Sequence, residues 1–260
     1  MNLTDDDILK FLLGTPYSFY GLFNIYSKTM EEIVNLGYTK FQIYLSILTA
    51  EKPGSLDGAD DNVNKILESL TDFQYILVMA SIDDHSAKIM KEAFYFFTGE
   101  ENIVFSMEPA QIIVINNDKQ HIIDEEKYYD FQRVLKRMYF LEQEGEEIII
   151  SDKDSPVTRG IKMAMKKNRE KLRKAKAKKA RAEKTDLQFS DLLASLPFQN
   201  CGLNLNDIKH LTYYAVQDQL KRSGWHEQFD INNRAAMAGA KLKKSQLKHW
   251  IRSIASSDKS

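Results

Sequence analysis

The chain has 260 residues and a formal net charge of −1, which conceals an uneven distribution of charge. A hydrophobic fraction of 43% with 26 Phe and Tyr residues predicts folded cores and argues against a disordered chain. The single cysteine, Cys201, excludes an internal disulfide framework and suits a reducing compartment. No secretory signal is visible, and no stretch approaches the roughly 18 apolar residues of a spanning helix, so we expect a soluble protein.

Charge divides the chain into three parts. Residues 1–155 carry 13 basic and 28 acidic side chains, a charge of −15, whereas residues 185–260 carry a charge of +3. Between them, Arg159–Lys184 contains 13 Lys or Arg and two acids, a local charge of +11. The fold class expected is mostly α with a small β component. We expect an acidic α+β domain at 1–155, a long basic connector helix at 156–184 and an all-α module at 185–260.

The first fifty residues predict short helices around an aromatic region. Thr4 precedes three Asp residues, an arrangement that suits the positive end of a helix. The many rings of Tyr17–Tyr26 favour a strand over part of that stretch. Thr29 and Glu32 have the spacing of a capping box, and a further helix is expected over Tyr38–Thr49.

Two longer helices and a small sheet are expected next. Residues 51–62 have the composition of a loop. From Asn62 an apolar stripe at helical spacing continues to a break at 81–84, and a second stripe covers 87–97. Three short β-branched runs then predict a small meander or hairpin: 102–107, 111–116 and 121–124.

The remainder of the chain is predicted to be mainly helical. A helix opens at Asp124, with an apolar face from Tyr128 to Leu141, and Ile148–Ile150 is a last candidate strand. The basic segment has a helix-forming composition but only a thin apolar stripe, so it needs a partner or water. Beyond it, helices are expected at Phe189–Leu196, Leu205–Gly224, Trp225–Ala240 and Lys244–Ile254.

No catalytic motif is present in the sequence. The chain lacks a phosphate-binding loop, a dinucleotide fingerprint, a nucleophile elbow and an HExxH motif. His85 beside Asp83 and Asp84 fits a helix start better than a metal site. The Asp-rich loop at 57–61 lacks the ligand order of a calcium loop. We therefore expect a protein that is not an enzyme and that has no cofactor and no metal.

The basic segment has three interpretations. It is a solvated linker helix that neutralises the acidic first domain of the same chain or the acids of a protein partner. Alternatively, it binds nucleic-acid phosphates with a strong salt dependence, or it lies on a membrane. It has no aromatic residue to stack on bases and no broad apolar face for a membrane. Protein acids are therefore the preferred partner, and nucleic acid is the alternative. The candidate contact residues are Arg159, Lys166, Lys167, Arg169, Lys171, Arg173, Lys174, Lys178, Lys179 and Arg181.

The C-terminal stretch 237–254 is a second candidate for partner binding. Its apolar residues stand among lysines, as in helices that dock into a groove with a Trp anchor. Packing within the all-α module is the competing interpretation. The candidate contacts are Leu247, Trp250, Ile251 and Ile254.

Several stretches resemble proteins of tailed bacteriophages of Gram-positive hosts. They are TMEEIVNLGYTKFQIYLSIL in the first domain, the Lys/Arg/Ala-rich middle, and DLLASLPF, LTYYAVQDQLKR and FDINNRAAMAGAKLKKSQLKHWIRSI near the end. The resemblance covers most of the chain in the same order and rests on helix patterns instead of invariant chemical groups. No catalytic residue comes with it.

The resemblance implies a protein of tail or baseplate morphogenesis, similar to tail assembly chaperones. Its partners would be phage tail or baseplate proteins, or other copies of itself, and it would act in the host cytoplasm during assembly or in the virion. The competing function is a nucleic-acid-binding accessory protein that uses Arg159–Lys184. An unrecognised enzyme is the third hypothesis.

Overall fold

The computed structural model describes residues 3–53, 60–116, 119–141, 188–198 and 202–242. The chain separates into two compact units. Unit 1 comprises Met1–Glu142 together with Asn206–Gln217, and unit 2 comprises Gln143–Leu205 together with Asp218–Ser260. In the described ranges, no helix is long and apolar enough to cross a membrane.

The described residues are mostly α-helical with two small antiparallel sheets, which confirms the predicted fold class. The first seven helices are α1 Asp5–Leu13, α2 Met30–Leu36, α3 Tyr38–Thr49, α4 Asp61–Ser69, α5 Asp72–Ser81, α6 Asp84–Thr98 and α7 Glu125–Met138. The strands are β1 Tyr17–Phe19, β2 Phe23–Ile25, β3 Ile103–Met107, β4 Ala110–Asn116 and β5 Lys119–Ile123. The later elements are α8 Phe189–Ser195, a 3₁₀ turn Leu196–Phe198, α9 Leu205–His210 and α10 Tyr213–Met237.

Helix starts follow the capping signals in the sequence. Thr4 begins α1 in a capping box with Asp7, and Thr29 begins α2 in a capping box with Glu32. In each, the threonine hydroxyl accepts a bond from the third helical N–H, and the acid accepts one from the threonine N–H. Both predicted starts are confirmed.

Two predicted helices are each divided by a threonine. The stripe that starts near Asn62 forms α4 and α5, because Thr71 begins a new helix in a capping box with Gln74. The helix expected over Leu205–Gly224 ends at His210, and α10 begins after Thr212 and continues past Gly224. Threonine competes for backbone hydrogen bonds, so it interrupts a helix where apolar periodicity alone predicts continuity.

Aromatic rings form the centre of unit 1. Phe94 of α6 stacks on Phe131 of α7 with ring centroids 5.0 Å apart, and Phe23 of the β1–β2 hairpin meets both rings. Phe41 of α3 contacts Phe97 of α6 at 6.2 Å. All five side chains are at most 5% exposed, so the hairpin and three helices share one core.

The core also satisfies the carbonyl end of α3. Tyr128 of α7 donates a hydrogen bond to the Leu48 carbonyl at 2.9 Å, and the Gln132 amide donates to the carbonyls of Leu48 and Ala50 at 3.2 Å. Tyr128 and Gln132 are buried. Since unpaired buried carbonyls are costly, these two side chains fix α3 against α7.

Residues 206–217 belong to unit 1 although they follow the basic segment in sequence. Tyr213 N–H donates to the Lys28 carbonyl at 2.8 Å, and Met30 N–H donates to the Leu211 carbonyl at 2.9 Å. These bonds flank a β-bridge between Thr29 and Thr212. The start of α2 is therefore paired with a segment about 180 residues later in the chain.

Thr212 connects this segment to α1. Its hydroxyl donates to the carbonyl of Phe11 at 2.9 Å and accepts from Ala215 N–H at 3.0 Å, at the start of α10. Gly14, with φ of +73°, ends α1 beside it, and a Cβ there would stand 3.2 Å from the Thr212 methyl group. A glycine at this position satisfies both the left-handed conformation and the close approach.

Two tyrosines add ring contacts to the hydrogen bonds that join residues 206–217 to the rest of unit 1. The Tyr213 ring lies 5.4 Å from Phe41 and 5.6 Å from Tyr139, and the Tyr214 ring lies 4.7 Å from Phe140. Tyr213 and Tyr214 are buried, as are Ile208 and Val216 of the same segment. The sequence assigns these residues to the C-terminal module, whereas their contacts lie in unit 1. The predicted boundaries near 155 and 185 fall outside the described residues and stay predictions.

Replacing Thr212 by Val is expected to lower the free energy of unfolding by about 1–3 kcal/mol, because the buried hydrogen bond to Phe11 and the partly buried one from Ala215 are both lost with the hydroxyl. Thr212→Ser retains the hydroxyl and is expected to cost less. Urea denaturation of both variants measures the difference. Equal stability of Thr212→Val and the parent chain would contradict the assigned role of the hydroxyl.

Tyr20 anchors the turn of the β1–β2 hairpin. It has a φ of +53°, a conformation that is strained for a residue with a side chain. Its hydroxyl donates to the buried carboxylate of Asp130 in α7 at 2.5 Å, and Arg133 donates to the same carboxylate at 2.9 Å. The hydrogen bond to Asp130 raises the pKa of Tyr20 to about 12, and partial burial and nearby acids add to the effect.

The Tyr20 bond predicts a loss of stability at high pH. The folded-state pKa, about 12, lies above the ordinary value of 10.0, so the contribution is complete below pH 10 and is lost as the pH rises towards 12. We expect the stability difference between the parent chain and Tyr20→Phe to shrink over that range. Unfolding measurements at pH 8, 10 and 11.5 check this. A difference that does not change with pH would contradict it.

Candidate protein-interaction surface

The partner-binding residues predicted from the sequence lie outside the described residues. This applies to the whole basic set and to the C-terminal set. They are Arg159, Lys166, Lys167, Arg169, Lys171, Arg173, Lys174, Lys178, Lys179, Arg181, Leu247, Trp250, Ile251 and Ile254. Their role stays a prediction, and the described residues offer a different candidate surface.

This surface is one face of the three-stranded sheet in unit 1. The strand order is β3–β4–β5, with both pairs antiparallel. Alternate residues of an antiparallel strand point to opposite faces. The inner face packs on the core and includes Ile103, Ile112, Val114 and Ile123, which are at most 2% exposed.

The opposite face, which we call the outer sheet face, is apolar and exposed. Val104 pairs with Ile113, and Ile113 pairs with Ile122, so the three side chains form a row across the sheet. Val104 is 45% exposed, Ile122 is 49% exposed, and Ile113 and Ile115 are half-buried. The other residues of this face are uncharged: Ser106, Gln111 and Gln120.

Carboxylates lie at both ends of the outer sheet face. The register places exposed Glu108 and Asp124 at one end of the strands, and exposed Glu101 and Lys119 at the other end, on opposite edge strands. Lys127 lowers the pKa of Asp124, because its ammonium donates to the carboxylate at 2.7 Å and its backbone N–H donates at 3.0 Å. The face is therefore an apolar strip with charged residues of both signs at its ends, the acids Glu101, Glu108 and Asp124 and the bases Lys119 and Lys127.

A shallow polar groove lies next to the β1–β2 hairpin. It has a volume of about 230 Å³, and Asn24, Tyr26, Glu100 and Asn116 contribute to its lining. The Asn116 amide donates to the Glu100 carboxylate at 3.0 Å, so these two groups satisfy each other. Across the parts of the chain that the structure describes, no group of three potential metal ligands comes together.

The outer sheet face carries a signal that sequence reasoning did not use. Residues 112–115 are consecutively apolar (IIVI), whereas a strand with one wet face alternates apolar and polar residues. Such a run is typical of a strand that is covered on both faces. The inner face of β4 is covered by the core, and within the described residues the outer one is not. The run therefore makes the outer sheet face a candidate surface.

Because one face of the sheet is buried and the other is exposed, the same change from Ile to Thr is expected to affect stability differently on the two faces. Ile122→Thr is expected to change the free energy of unfolding by less than about 0.5 kcal/mol, because the side chain is half exposed and Thr favours strands. Ile112→Thr places a hydroxyl in the core and is expected to cost about 2–4 kcal/mol. Chemical denaturation compares them, and similar losses would show that the outer face is covered.

Comparison with known proteins connects the C-terminal part with bacteriophage. Residues 176–255 match the family model described as YomV second domain, which covers less than a third of the chain. YomV is a Bacillus phage SPbeta-region protein, and the match indicates a phage-related protein. No curated protein and no solved structure matches the chain.

Proposed function

We propose that the chain is a non-enzymatic bacteriophage protein that acts in tail or baseplate assembly through protein–protein contacts. The observation that carries the proposal is the outer sheet face, an exposed apolar strip on a folded acidic unit. Exposed apolar strips of this kind mark surfaces that associate with other proteins.

Two further observations support the phage role. The family match at 176–255 indicates a phage-related protein. The resemblance of several stretches, TMEEIVNLGYTKFQIYLSIL among them, adds tail or baseplate morphogenesis and a chaperone-like role. An assembly protein needs surfaces that bind subunits and separate charged regions that choose among them. In this chain, the outer sheet face provides the binding surface, and Arg159–Lys184, with its charge of +11, provides the charged region.

Binding to subunits should depend on the outer sheet face. We expect Val104→Lys/Ile122→Lys to weaken binding to the cognate tail or baseplate subunit by about tenfold or more, because it places two charges in the apolar row. The matched control is Val34→Lys/Ile43→Lys, which adds the same charges at exposed positions of α2 and α3. Surface plasmon resonance with purified subunits encoded beside the gene measures both. Absence of binding by the parent chain to every subunit would refute the proposal.

The charge of Arg159–Lys184 favours one competing function, nucleic-acid binding. In that case, affinity for DNA or RNA would fall steeply with salt and would depend on the basic residues. A fluorescence titration from 50 to 300 mM salt tests this, with Lys171, Arg173, Lys174, Lys178 and Lys179 changed to Gln as the comparison. Strong, salt-dependent binding that these changes abolish would support the competing function over the assembly role.

A further inference from the structure

Building on the proposed function, we propose that the outer sheet face binds the C-terminal segment of a second copy of this chain, residues 241–254. Two copies would then associate by reciprocal exchange, with each segment on the sheet of the other copy. In this reciprocal arrangement each copy makes the same two contacts, which closes the association as a symmetric pair instead of an open chain.

The apolar residues of the segment span about the same length as the apolar row of the outer sheet face. Leu247, Trp250, Ile251 and Ile254 stand at i, i+3, i+4 and i+7, which on a helix is one side. From the first to the last, such a side covers about 10 Å at 1.5 Å per residue. The row Val104–Ile113–Ile122 crosses three strands about 4.8 Å apart, which is also about 10 Å.

The charges of the two surfaces are complementary. Residues 241–254 contain five Lys or Arg and no acid. The outer sheet face has no charged residue of its own; at its ends the acids Glu101, Glu108 and Asp124 outnumber the bases Lys119 and Lys127, of which Lys127 is paired with Asp124. An apolar helix side flanked by lysines would place its apolar residues on the strip and its cations near these carboxylates.

The charge of unit 1 favours a basic occupant over a second acidic surface. Met1–Glu142 with Asn206–Gln217 carries 13 basic and 24 acidic residues, a charge of −11. Two such units repel each other when they approach directly. A basic segment between the sheet of one copy and its neighbour reduces that repulsion, whereas direct contact of two outer sheet faces does not.

The experiment compares the full chain with two variants, each lacking one half of the contact. The face variant is Val104→Lys/Ile122→Lys, and the segment variant is Trp250→Ser/Ile251→Ser. Sedimentation equilibrium is expected to show a dimer for the parent chain and self-association weaker by about tenfold or more for each variant. An equimolar mixture of the variants should form a heterodimer, because an intact face then meets an intact segment. Unchanged thermal unfolding of both variants excludes a loss of fold.

Three outcomes would overturn the inference. They are a monomeric parent chain, a dimer that both variants retain, and variants that do not associate when mixed. The segment variant has an intact face, so its binding to tail subunits distinguishes failure of this inference from failure of the proposed function. If that variant still binds a tail subunit while the parent is monomeric, the proposed function stands without the exchange. If the parent dimerises but the segment variant, whose face is uncovered, binds no subunit, the exchange stands without the proposed function.

Discussion

The attachment of residues 206–217 to the beginning of the chain is the constraint on which unit 1 depends. Its backbone bonds and the Thr212 hydroxyl connect α1, the start of α2 and the start of α10. Four buried side chains contribute apolar and aromatic surface to this attachment: Ile208, Tyr213, Tyr214 and Val216. Their burial is the favourable contribution that opposes the conformational entropy lost when residues 206–217 are ordered.

Local signals made most of unit 1 predictable from the sequence. Capping boxes at Thr4 and Thr29 and the apolar stripes specified helix starts and buried faces, because these depend on neighbours within one or two turns. The separation of α4 from α5 at Thr71 also has a local cause, which the continuous stripe concealed. The packing of Tyr213 on Phe41 and Tyr139 joins residues far apart in sequence, and no periodicity reports such a pairing.

The candidate surface was only partly predictable. Sequence patterns pointed to the basic segment and the C-terminal stretch, because charge runs and helical stripes are easy to detect. The outer sheet face depends on which of two apolar faces the core covers, and that choice is made by tertiary packing. The run Ile112–Ile115 shows that both faces are apolar, but only the structure shows that Ile112 and Val114 are the buried pair. Strand composition alone does not distinguish them.

The position of residues 206–217 also sets an order of events during synthesis. Translation proceeds from the N-terminus, so α3, α6 and α7, which provide the aromatic core, are all synthesised before Thr212. Until then, the Phe11 carbonyl and the ring of Phe41 lack the partners that Thr212 and Tyr213 provide. Unit 1 therefore lacks the contacts of residues 206–217 while Arg159–Lys184 is being synthesised. It gains them only after residue 217 of 260 has emerged from the ribosome.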